Sequence, residues 1–304
     1  MMPESRSPLS AESGAQAWFR IIQATGQRGL AVRDDQPASE PVELIFRRRI
    51  GRALPGDRVR YAPPGVVEMI DERRSVFGRG DERGRFQPLA ANIDTLWIVI
   101  APEPAPSVDS LHRYVAAARI QGIEPVLIIN KCDLAVPDQP PFDQIDELHI
   151  PVHRCAALHG QGLTPLVQRL HSGIHLLVGQ SGVGKSSLAN ALLPDLELQT
   201  ARLSRSTGKG RHTTTSTRLF HTPQGGWLAD SPGVWEYGLW RMDTEMLQRG
   251  FPEFRTLPPC RFRDCRHTAE PGCAVREAAD RGDLPPSRYQ AWLRLLREQQ
   301  RLAD

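Results

Sequence analysis

Residues 179–186 spell GQSGVGKS, a glycine-rich loop of the form G-x-x-x-x-G-K-S. The apolar run HLLV precedes the loop and the segment SLANALL follows it, so the predicted order is strand, turn and helix. Glycines let successive backbone N–H groups point at phosphate oxygens, and the start of the helix adds its positive dipole end. The stretch predicts a phosphate-binding loop, with Lys185 between the β- and γ-phosphates and Ser186 as a magnesium ligand. The predicted phosphate contacts are Gly179, Gln180, Ser181, Gly182, Val183, Gly184, Lys185, Ser186 and Ser187.

A second motif indicates the base. Asn130, Lys131, Cys132 and Asp133 follow the apolar run PVLII, which places them at the carboxyl edge of a parallel sheet, where α/β proteins bind ligands. The Asp133 carboxylate can accept hydrogen bonds from N1–H and the 2-amino group of guanine, whereas adenine offers neither donor. We therefore expect a guanine nucleotide. Further along the chain, the small residues Cys155 and Ala156 are expected to back the guanine ring with main-chain N–H groups.

The order of these motifs is unusual. In an ordinary GTPase the phosphate loop comes first and the guanine motif last, but here residues 130–133 precede residues 179–186. A D-S-P-G segment from Asp230 to Gly233, expected at magnesium and the γ-phosphate, follows both. A sheet is assembled in space, so moving the chain ends to another surface loop can leave the pocket intact. The sequence thus predicts a circularly permuted GTPase.

Residues 206–215 are polar and contain glycine, which predicts a mobile loop between the phosphate loop and Asp230. One threonine there, Thr214 by preference or else Thr213 or Thr215, is expected to complete magnesium coordination when a γ-phosphate is bound. Such a contact orders a loop in the triphosphate state and frees it after hydrolysis.

Hydrolysis needs a group that orients the attacking water. The position after the D-S-P-G segment is Val234, which cannot do so. Two interpretations remain open: either hydrolysis is slow until a partner completes the site, or His212 in the mobile loop positions the water. A histidine in a polar loop is more often an ordinary surface residue, so the role of His212 is a hypothesis.

A third cluster lies near the carboxyl end. The pattern C-x4-C-x-H-x5-C supplies three thiolates and one imidazole, the donor set of a structural zinc site. The four predicted ligands are Cys260, Cys265, His267 and Cys273. Reduced cysteines in a loop are the alternative, but this proline-bearing segment has little apolar core of its own. Residues 287–302 predict an amphipathic helix that packs on the zinc segment.

Five short strand-like runs between residues 17 and 88 favour a barrel of the oligonucleotide-binding (OB) type. The net charge of the whole chain is only +3, but eleven arginines and six acidic residues lie between Arg47 and Arg85. This local excess favours binding to RNA phosphates, although arginines that merely solvate a small barrel are the alternative.

The predicted fold is a multi-domain α/β protein. We expect a disordered amino terminus (1–16), an OB-type RNA-binding barrel (17–88), a circularly permuted P-loop GTPase domain whose parallel sheet has helices on both faces (89–240), and a mostly helical zinc-binding segment (241–304). The sequence contains no apolar run of bilayer length and no signal-peptide core, so we expect a cytoplasmic protein without membrane contact.

Together these motifs resemble the bacterial family of circularly permuted, ribosome small-subunit-dependent GTPases (RsgA). The resemblance includes Pro55-Gly56-Asp57-Arg58-Val59, Ala91-Asn92-Ile93-Asp94, the Gly210–Thr215 loop, the three nucleotide motifs and the zinc set. It implies a GTPase with Mg²⁺ and one structural Zn²⁺ that acts in late maturation of the 30S subunit. It also implies binding to 16S rRNA, stimulation by the small subunit, release coupled to hydrolysis, and help in catalysis from His212. We expect a monomer that does not bind DNA.

Two other functions remain open from the residues. A P-loop kinase acting on a small molecule is disfavoured by the guanine motif at residues 130–133. An RNA-binding adaptor that holds its nucleotide only structurally would show no turnover with or without ribosomes.

Overall fold

The computed structural model describes residues 17–193, 217–230 and 238–303. Within those ranges the strands are β1 (Phe19–Thr25), β2 (Arg28–Arg33), β3 (Val42–Ile45), β4 (Arg58–Ala62), β5 (Val66–Ile70), β6 (Val76–Gly80), β7 (Phe86–Ala91), β8 (Thr95–Ile100), β9 (Glu124–Ile129), β10 (Val152–Arg154), β11 (Ile174–Val178), β12 (Arg218–His221) and β13 (Trp227–Asp230). The α-helices are α1 (Val108–Ile120), α2 (Thr164–Arg169), α3 (Lys185–Leu192), α4 (Thr244–Gln248), α5 (Ala274–Arg281) and α6 (Pro286–Ala303). Short 3-10 helices occur at Arg48–Ile50, Phe142–Leu148, Ala157–His159 and Pro252–Thr256.

The first five strands form a closed barrel. Strand β1 pairs antiparallel with both β2 and β4, β2 pairs with β3, β3 runs parallel to β5, and β5 returns to β4. Alternate residues point inward and form a separate small core that includes Phe19, Ile21, Leu44, Val59 and Val67. The five-stranded barrel predicted from the sequence is confirmed.

Two short segments join the barrel to the rest of the chain. The Ala91 N–H donates to the Pro55 carbonyl at 2.8 Å, and the Asn92 side chain donates to the Gly56 carbonyl at 3.0 Å. Gly56 has φ +95°, and a Cβ at this position would overlap the Ala91 carbonyl oxygen. The motif at residues 55–59 and the motif at residues 91–94 are therefore in direct contact with each other.

A hairpin of β6 and β7 crosses the predicted domain boundary at residue 88. Pro88 lies within β7 and Gly78 within β6, and such residues weaken the sequence signal for a strand. The hairpin contacts the carboxyl-terminal segment, because the Gly80 N–H donates to the Gly238 carbonyl at 2.8 Å and Phe86 packs edge-on against Trp240. The division of the chain into domains stays a prediction.

The nucleotide-domain strands follow the order β10-β9-β8-β11-β13-β12. All neighbouring pairs are parallel except β12 and β13. Every residue of β8 and β11 is buried, as expected for the centre of a parallel sheet. Helix α1 begins after Ser107, whose hydroxyl accepts from the Ser110 N–H, and it packs against β8 and β9. The sheet is continuous with the barrel, because β12 also pairs with β1.

The carboxyl-terminal helix α6 packs on α1 around a buried arginine. Arg288 is 1% exposed and forms an ion pair with Glu253 at 2.6 Å. Its guanidinium also lies 3.0 Å from His112 Nδ1 on α1. Burial and the neighbouring Arg288 charge lower the pKa of His112 to about 3, so the imidazole is neutral and accepts this hydrogen bond.

Within the described ranges, no helix has the length and apolar character needed to cross a membrane.

The barrel depends on a buried ion pair. Asp57 is fully buried, and its carboxylate accepts from Arg73 Nε at 2.7 Å, from Arg73 Nη2 at 2.8 Å and from the Leu54 N–H at 2.8 Å. Arg73→Leu leaves this carboxylate without its cation, which we expect to cost about 3–5 kcal/mol of unfolding free energy. Urea denaturation of the full chain measures the change.

Arg85→Leu is the matched control, because Arg85 is 67% exposed in its ion pair with Asp81. Removing that exposed pair should cost about 0–1 kcal/mol. Equal shifts of the urea midpoint in the two variants would contradict a structural role for the buried pair.

Candidate nucleotide site and metal cluster

The segments predicted to bind the nucleotide meet at one edge of the sheet. Strands β8, β9, β10, β11 and β13 are parallel, so their carboxyl ends lie on the same side. Strand β11 lies at the point where the sheet reverses its sequence order, with β8 and β9 on one side and β13 on the other. Ligands of open α/β sheets bind in the crevice at such a point. The permuted chain thus brings separate segments to the usual position of a ligand site.

The loop after β11 is a turn in which three glycines adopt a left-handed backbone. Gly179, Gly182 and Gly184 all have positive φ, at +137°, +80° and +92°. A Cβ at Gly179 would overlap the Val99 carbonyl oxygen, and a Cβ at Gly184 would overlap the side-chain nitrogen of Asn130. Helix α3 begins at Lys185, as the sequence predicted, so its first N–H groups face the loop.

Lys185 folds back over this loop. Its Nζ donates to the Gly179 carbonyl at 2.8 Å and to the Gln180 carbonyl at 2.9 Å. Burial lowers the pKa of Lys185, and the nearby Asp230 carboxylate opposes that shift. The ammonium is thereby held beside the loop, within the site where phosphate oxygens would accept its hydrogen bonds. The next residue, Ser186, lies in the first turn of α3 and is exposed.

The Asn130 side chain connects three parts of the site: the loop that carries the guanine motif, the glycine loop, and the segment after β10. Its Nδ2 donates to the Val183 carbonyl of the glycine loop at 3.0 Å. Its Oδ1 accepts from the Ala157 N–H at 3.0 Å and from the Cys155 thiol at 3.5 Å. Asn130 is only 2% exposed, so these bonds are shielded from water. The sequence predicted Asn130 as a nucleotide contact but did not indicate its bonds to the protein.

The rest of the predicted guanine motif lies at the mouth of the site. Asp133 is exposed, and its carboxylate lies 3.6 Å from His159 Nε2. Lys131 has φ +58°, and its ammonium donates to the Glu103 carbonyl at 2.8 Å. Cys132 is half-buried, and burial raises the pKa of its thiol. An exposed carboxylate at this place is accessible to a base.

In the segment after β10, the main-chain N–H groups of Cys155 and Ala156 donate hydrogen bonds to carbonyl groups of the protein itself. The Cys155 N–H donates to the Ile129 carbonyl at 2.9 Å, and the Ala156 N–H donates to the Gln161 carbonyl at 3.0 Å. A guanine bound to the Ala156 N–H would have to replace Gln161 as its acceptor. Burial raises the pKa of the Cys155 thiol to about 12, so this sulfur is a neutral donor rather than a thiolate.

Asp230 is the last residue of β13, opposite Leu177 of β11 and opposite Arg218 of β12. Burial lowers the pKa of Lys185 and of Arg218, and the Asp230 charge opposes the shift in both cases. The other predicted residues, His212, Thr213, Thr214, Thr215, Gly233 and Val234, lie outside the described residues.

The four predicted metal ligands form a compact cluster. The donor atoms of Cys260, Cys265, His267 and Cys273 all lie within 4.8 Å of one another. His267 Nδ1 is 3.5 Å from the sulfur of Cys260 and 3.5 Å from that of Cys273. Burial raises the pKa of the Cys265 thiol to about 12, so a bound cation would be needed to keep this ligand deprotonated at neutral pH. The cluster can hold a metal ion.

Helices fix this cluster from outside. The Tyr289 hydroxyl donates to the His267 carbonyl at 3.0 Å, and Trp292 Nε1 donates to the Arg266 carbonyl at 3.0 Å. The predicted packing of the tail helix on the cysteine segment is confirmed. Sequence reasoning missed Gln248 of α4, whose side-chain amide lies 3.2 Å from His267 Nε2 and orients the ring.

Comparison with known proteins agrees with this geometry. Residues 70–240 match the family model of the RsgA GTPase. The "Small ribosomal subunit biogenesis GTPase RsgA" of Haemophilus influenzae is 40% identical over 265 residues, which cover 83% of this chain and 77% of that protein. The protein of the same name from Pseudomonas aeruginosa is 38% identical over 305 residues, with 96% of this chain and 89% of that protein covered.

Two solved structures share the fold. YjeQ from Thermotoga maritima matches with a TM-score of 0.73 at 26% identity, covering 93% of this chain and 98% of that chain. YloQ, described as a circularly permuted GTPase, matches with a TM-score of 0.68 at 26% identity, covering 96% and 98%. Because the family model matches residues 70–240 and the Haemophilus influenzae protein is 40% identical over 265 residues, the chain belongs to the RsgA GTPase family and is a GTP-hydrolysing enzyme.

Proposed function

We propose that this GTPase acts in late maturation of the 30S ribosomal subunit. In this proposal the protein binds 16S rRNA, the small subunit stimulates hydrolysis of GTP to GDP and phosphate, and hydrolysis is coupled to release. The names of the relatives support this role, since they are called small ribosomal subunit biogenesis GTPases. The structural observation that carries the GTPase part of the proposal is the Asn130 amide, which bonds the guanine motif to the glycine loop. A protein that acts on the small ribosomal subunit is expected in the cytoplasm. We also expect this protein to be a monomer.

The proposed nucleotide contacts follow the motifs. The loop from Gly179 to Ser187 holds the phosphates, Lys185 neutralises charge on the γ-phosphate, and Asp133 accepts from guanine. Ser186 and the predicted Thr214 would hold Mg²⁺, and Asp230 and Gly233 would lie at the γ-phosphate. When bound, the magnesium ion supplies charge stabilisation at the transferring phosphoryl group. The serine hydroxyl and Asp230 carboxylate are oxygen donors, as a hard divalent cation requires.

The water-orienting group is supplied either by His212 or by the ribosomal partner. Hydrolysis by Lys185 and magnesium alone should be slow, because no glutamine follows the D-S-P-G segment. An adaptor that holds nucleotide without turnover has no support from the family match, which is to a GTPase family.

Turnover with and without the small subunit tests the function. We expect purified 30S subunits to raise the GTP turnover of the full chain by at least about tenfold, since completing a catalytic site is worth more than 1.4 kcal/mol. Lys185→Ala should abolish turnover under both conditions. Equal turnover with 30S, with 50S subunits and alone would contradict the proposed role.

His212→Ala in the same assay separates the two sources of the water-orienting group. If His212 positions the water, this variant loses the stimulated turnover but keeps its affinity for 30S subunits. Wild-type stimulation in the variant would instead assign the role to the partner.

We propose that the barrel is of the OB type and binds rRNA through its β3–β4 connection. Arg47, Arg48, Arg49 and Arg52 are exposed there, and none has an ion pair with another described residue. Three other arginines of the same region, Arg58, Arg73 and Arg85, each pair with an aspartate. Four exposed arginines without a described ion pair thus lie together on one connection, which supports contact with phosphates.

Replacing these four arginines with glutamine should weaken binding to 30S subunits and make it less sensitive to salt. Removing four phosphate contacts should reduce the slope of log K against log salt by up to about 3. Filter binding across a salt series measures this slope, and the affinity for GTP, which should not change, is the control. An unchanged slope would exclude this connection as an rRNA contact.

We propose zinc as the metal of the Cys₃His cluster. Zn–S and Zn–N bonds of about 2.3 Å and 2.0 Å at a tetrahedral angle separate the sulfur and nitrogen by about 3.5 Å. The two Sγ–Nδ1 distances of 3.5 Å fit this value. Three sulfur donors also favour zinc over magnesium or calcium.

The wild-type chain should carry one zinc ion per molecule by elemental analysis, and Cys265→Ala should lose it. Loss of the ion frees the segment bonded to Trp292, so hydrogen exchange in α6 should become faster. Cys132→Ala is the matched control, because Cys132 lies in the nucleotide site and should not affect the zinc content. Zinc retained by Cys265→Ala, or absent from the wild type, would contradict the assignment.

A further inference from the structure

Strand β12 lies between the barrel and the nucleotide sheet. It pairs antiparallel with β13 on one side and with β1 of the barrel on the other. Arg218 is the residue of β12 that stands opposite Asp230 of β13 and also opposite Gln23 of β1. Directly opposed residues of antiparallel strands project to the same face with Cβ atoms about 4.5–5.5 Å apart. Gln23, Arg218 and Asp230 therefore form one row across three strands.

The Asp230 carboxylate acts electrostatically on two cations. Burial lowers the pKa of Arg218 and of Lys185, and the Asp230 charge opposes the shift in both cases. Lys185 belongs to the glycine loop, whereas Arg218 belongs to the strand that pairs with the barrel. Asp230 is thus linked electrostatically to both elements, and it stands directly opposite Arg218 in the sheet.

Gln23 brings the barrel into this row. It is only 7% exposed, and its Oε1 is buried without a hydrogen-bond partner among the described residues. A buried oxygen without a partner is unfavourable, and the residue opposite Gln23 is Arg218, whose guanidinium has five N–H donors. A hydrogen bond between these two side chains is therefore available to another state of the protein. The strand has a β-bulge between Ile21 and Gln23, a feature that redirects side chains.

Two further contacts connect the barrel to the sheet. Ile22, Leu30 and Val32 of the barrel strands belong to the main hydrophobic core rather than to the barrel core. The Arg20 guanidinium lies over the ring of Trp227 in β13, 5.8 Å from its centre. A displacement of β1 would therefore reach β12 and β13, the strand that ends at Asp230.

We propose that Arg218 is a positioning residue that holds Asp230 toward the magnesium–GTP site and makes Asp230 responsive to the barrel through Gln23. RNA bound to the barrel shifts β1, Gln23 accepts from the Arg218 guanidinium, and the Asp230 carboxylate changes its position relative to magnesium. This inference rests on the proposed function, in which Asp230 serves the magnesium site and the barrel binds rRNA.

The magnesium requirement tests the first half. Arg218→Gln removes the charge and keeps a shorter polar side chain, and we expect the Mg²⁺ concentration for half-maximal GTP hydrolysis to rise by about tenfold, the value of one charge-assisted hydrogen bond. GDP affinity measured without Mg²⁺ should stay within about twofold, since loss of a purely structural residue would lower both. Arg218→Lys should restore most of the magnesium response, and His221→Gln, on the same strand, should match the wild type. An unchanged magnesium requirement in Arg218→Gln overturns the positioning role.

Gln23→Leu tests the second half and does not depend on whether Arg218→Gln folds. We expect its basal turnover to equal that of the wild type and its stimulation by 30S subunits to fall by about fivefold, equivalent to about 1 kcal/mol for one hydrogen bond. Full stimulation of Gln23→Leu overturns the link to the barrel. If the wild type itself shows no stimulation, the proposed function fails, and the magnesium requirement of Arg218→Gln still decides the role of Arg218.

Discussion

One buried amide, the side chain of Asn130, ties together the three loops that meet at the carboxyl edge of the sheet. Its nitrogen bonds to the Val183 carbonyl and its oxygen to the Ala157 N–H. Removing the amide would leave a buried donor and a buried acceptor unpaired, at about 1–3 kcal/mol each. The amide therefore fixes the distance between the loop that carries Lys185 and the loop that carries Asp133, and a nucleotide has to match that distance.

The permuted chain order has a structural consequence for the other modules. Strand β12, which follows the loop predicted to contain the magnesium threonine, lies against β1 of the barrel. The segment after Asp230 leads toward Gly238, whose carbonyl accepts from Gly80 of the β6–β7 hairpin. Both chain segments expected at the γ-phosphate therefore connect directly to another part of the molecule. Along the chain, the end of β13 is followed by α4 and then by the metal cluster, whereas in an unpermuted order the guanine motif would come last in the nucleotide domain.

Much of this arrangement could be predicted from the sequence. The glycine loop, the strand before Asn130 and the cysteine spacing each carry a local pattern with a known physical requirement. The β6–β7 hairpin could not be predicted, because Pro88 interrupts the strand pattern and the hairpin contacts residues far along the chain. The junction of β1 and β12 rests on a single residue pair, Gln23 and Arg218, which no local pattern specifies. The hydrogen bonds of Asn130 to the protein backbone could not be predicted, because the sequence does not indicate whether an asparagine side chain bonds to a base or to the main chain.

Nucleotide preference of an Asp133→Asn variant tests most directly whether these loops enclose one guanine nucleotide. The amide can donate to the 2-oxo group of xanthine, whereas the carboxylate accepts from the 2-amino group of guanine. We expect the variant to hydrolyse xanthosine triphosphate in preference to GTP, and we expect the further change Lys185→Ala to abolish this new activity. Unchanged GTP hydrolysis by Asp133→Asn, with no activity on xanthosine triphosphate, would contradict it.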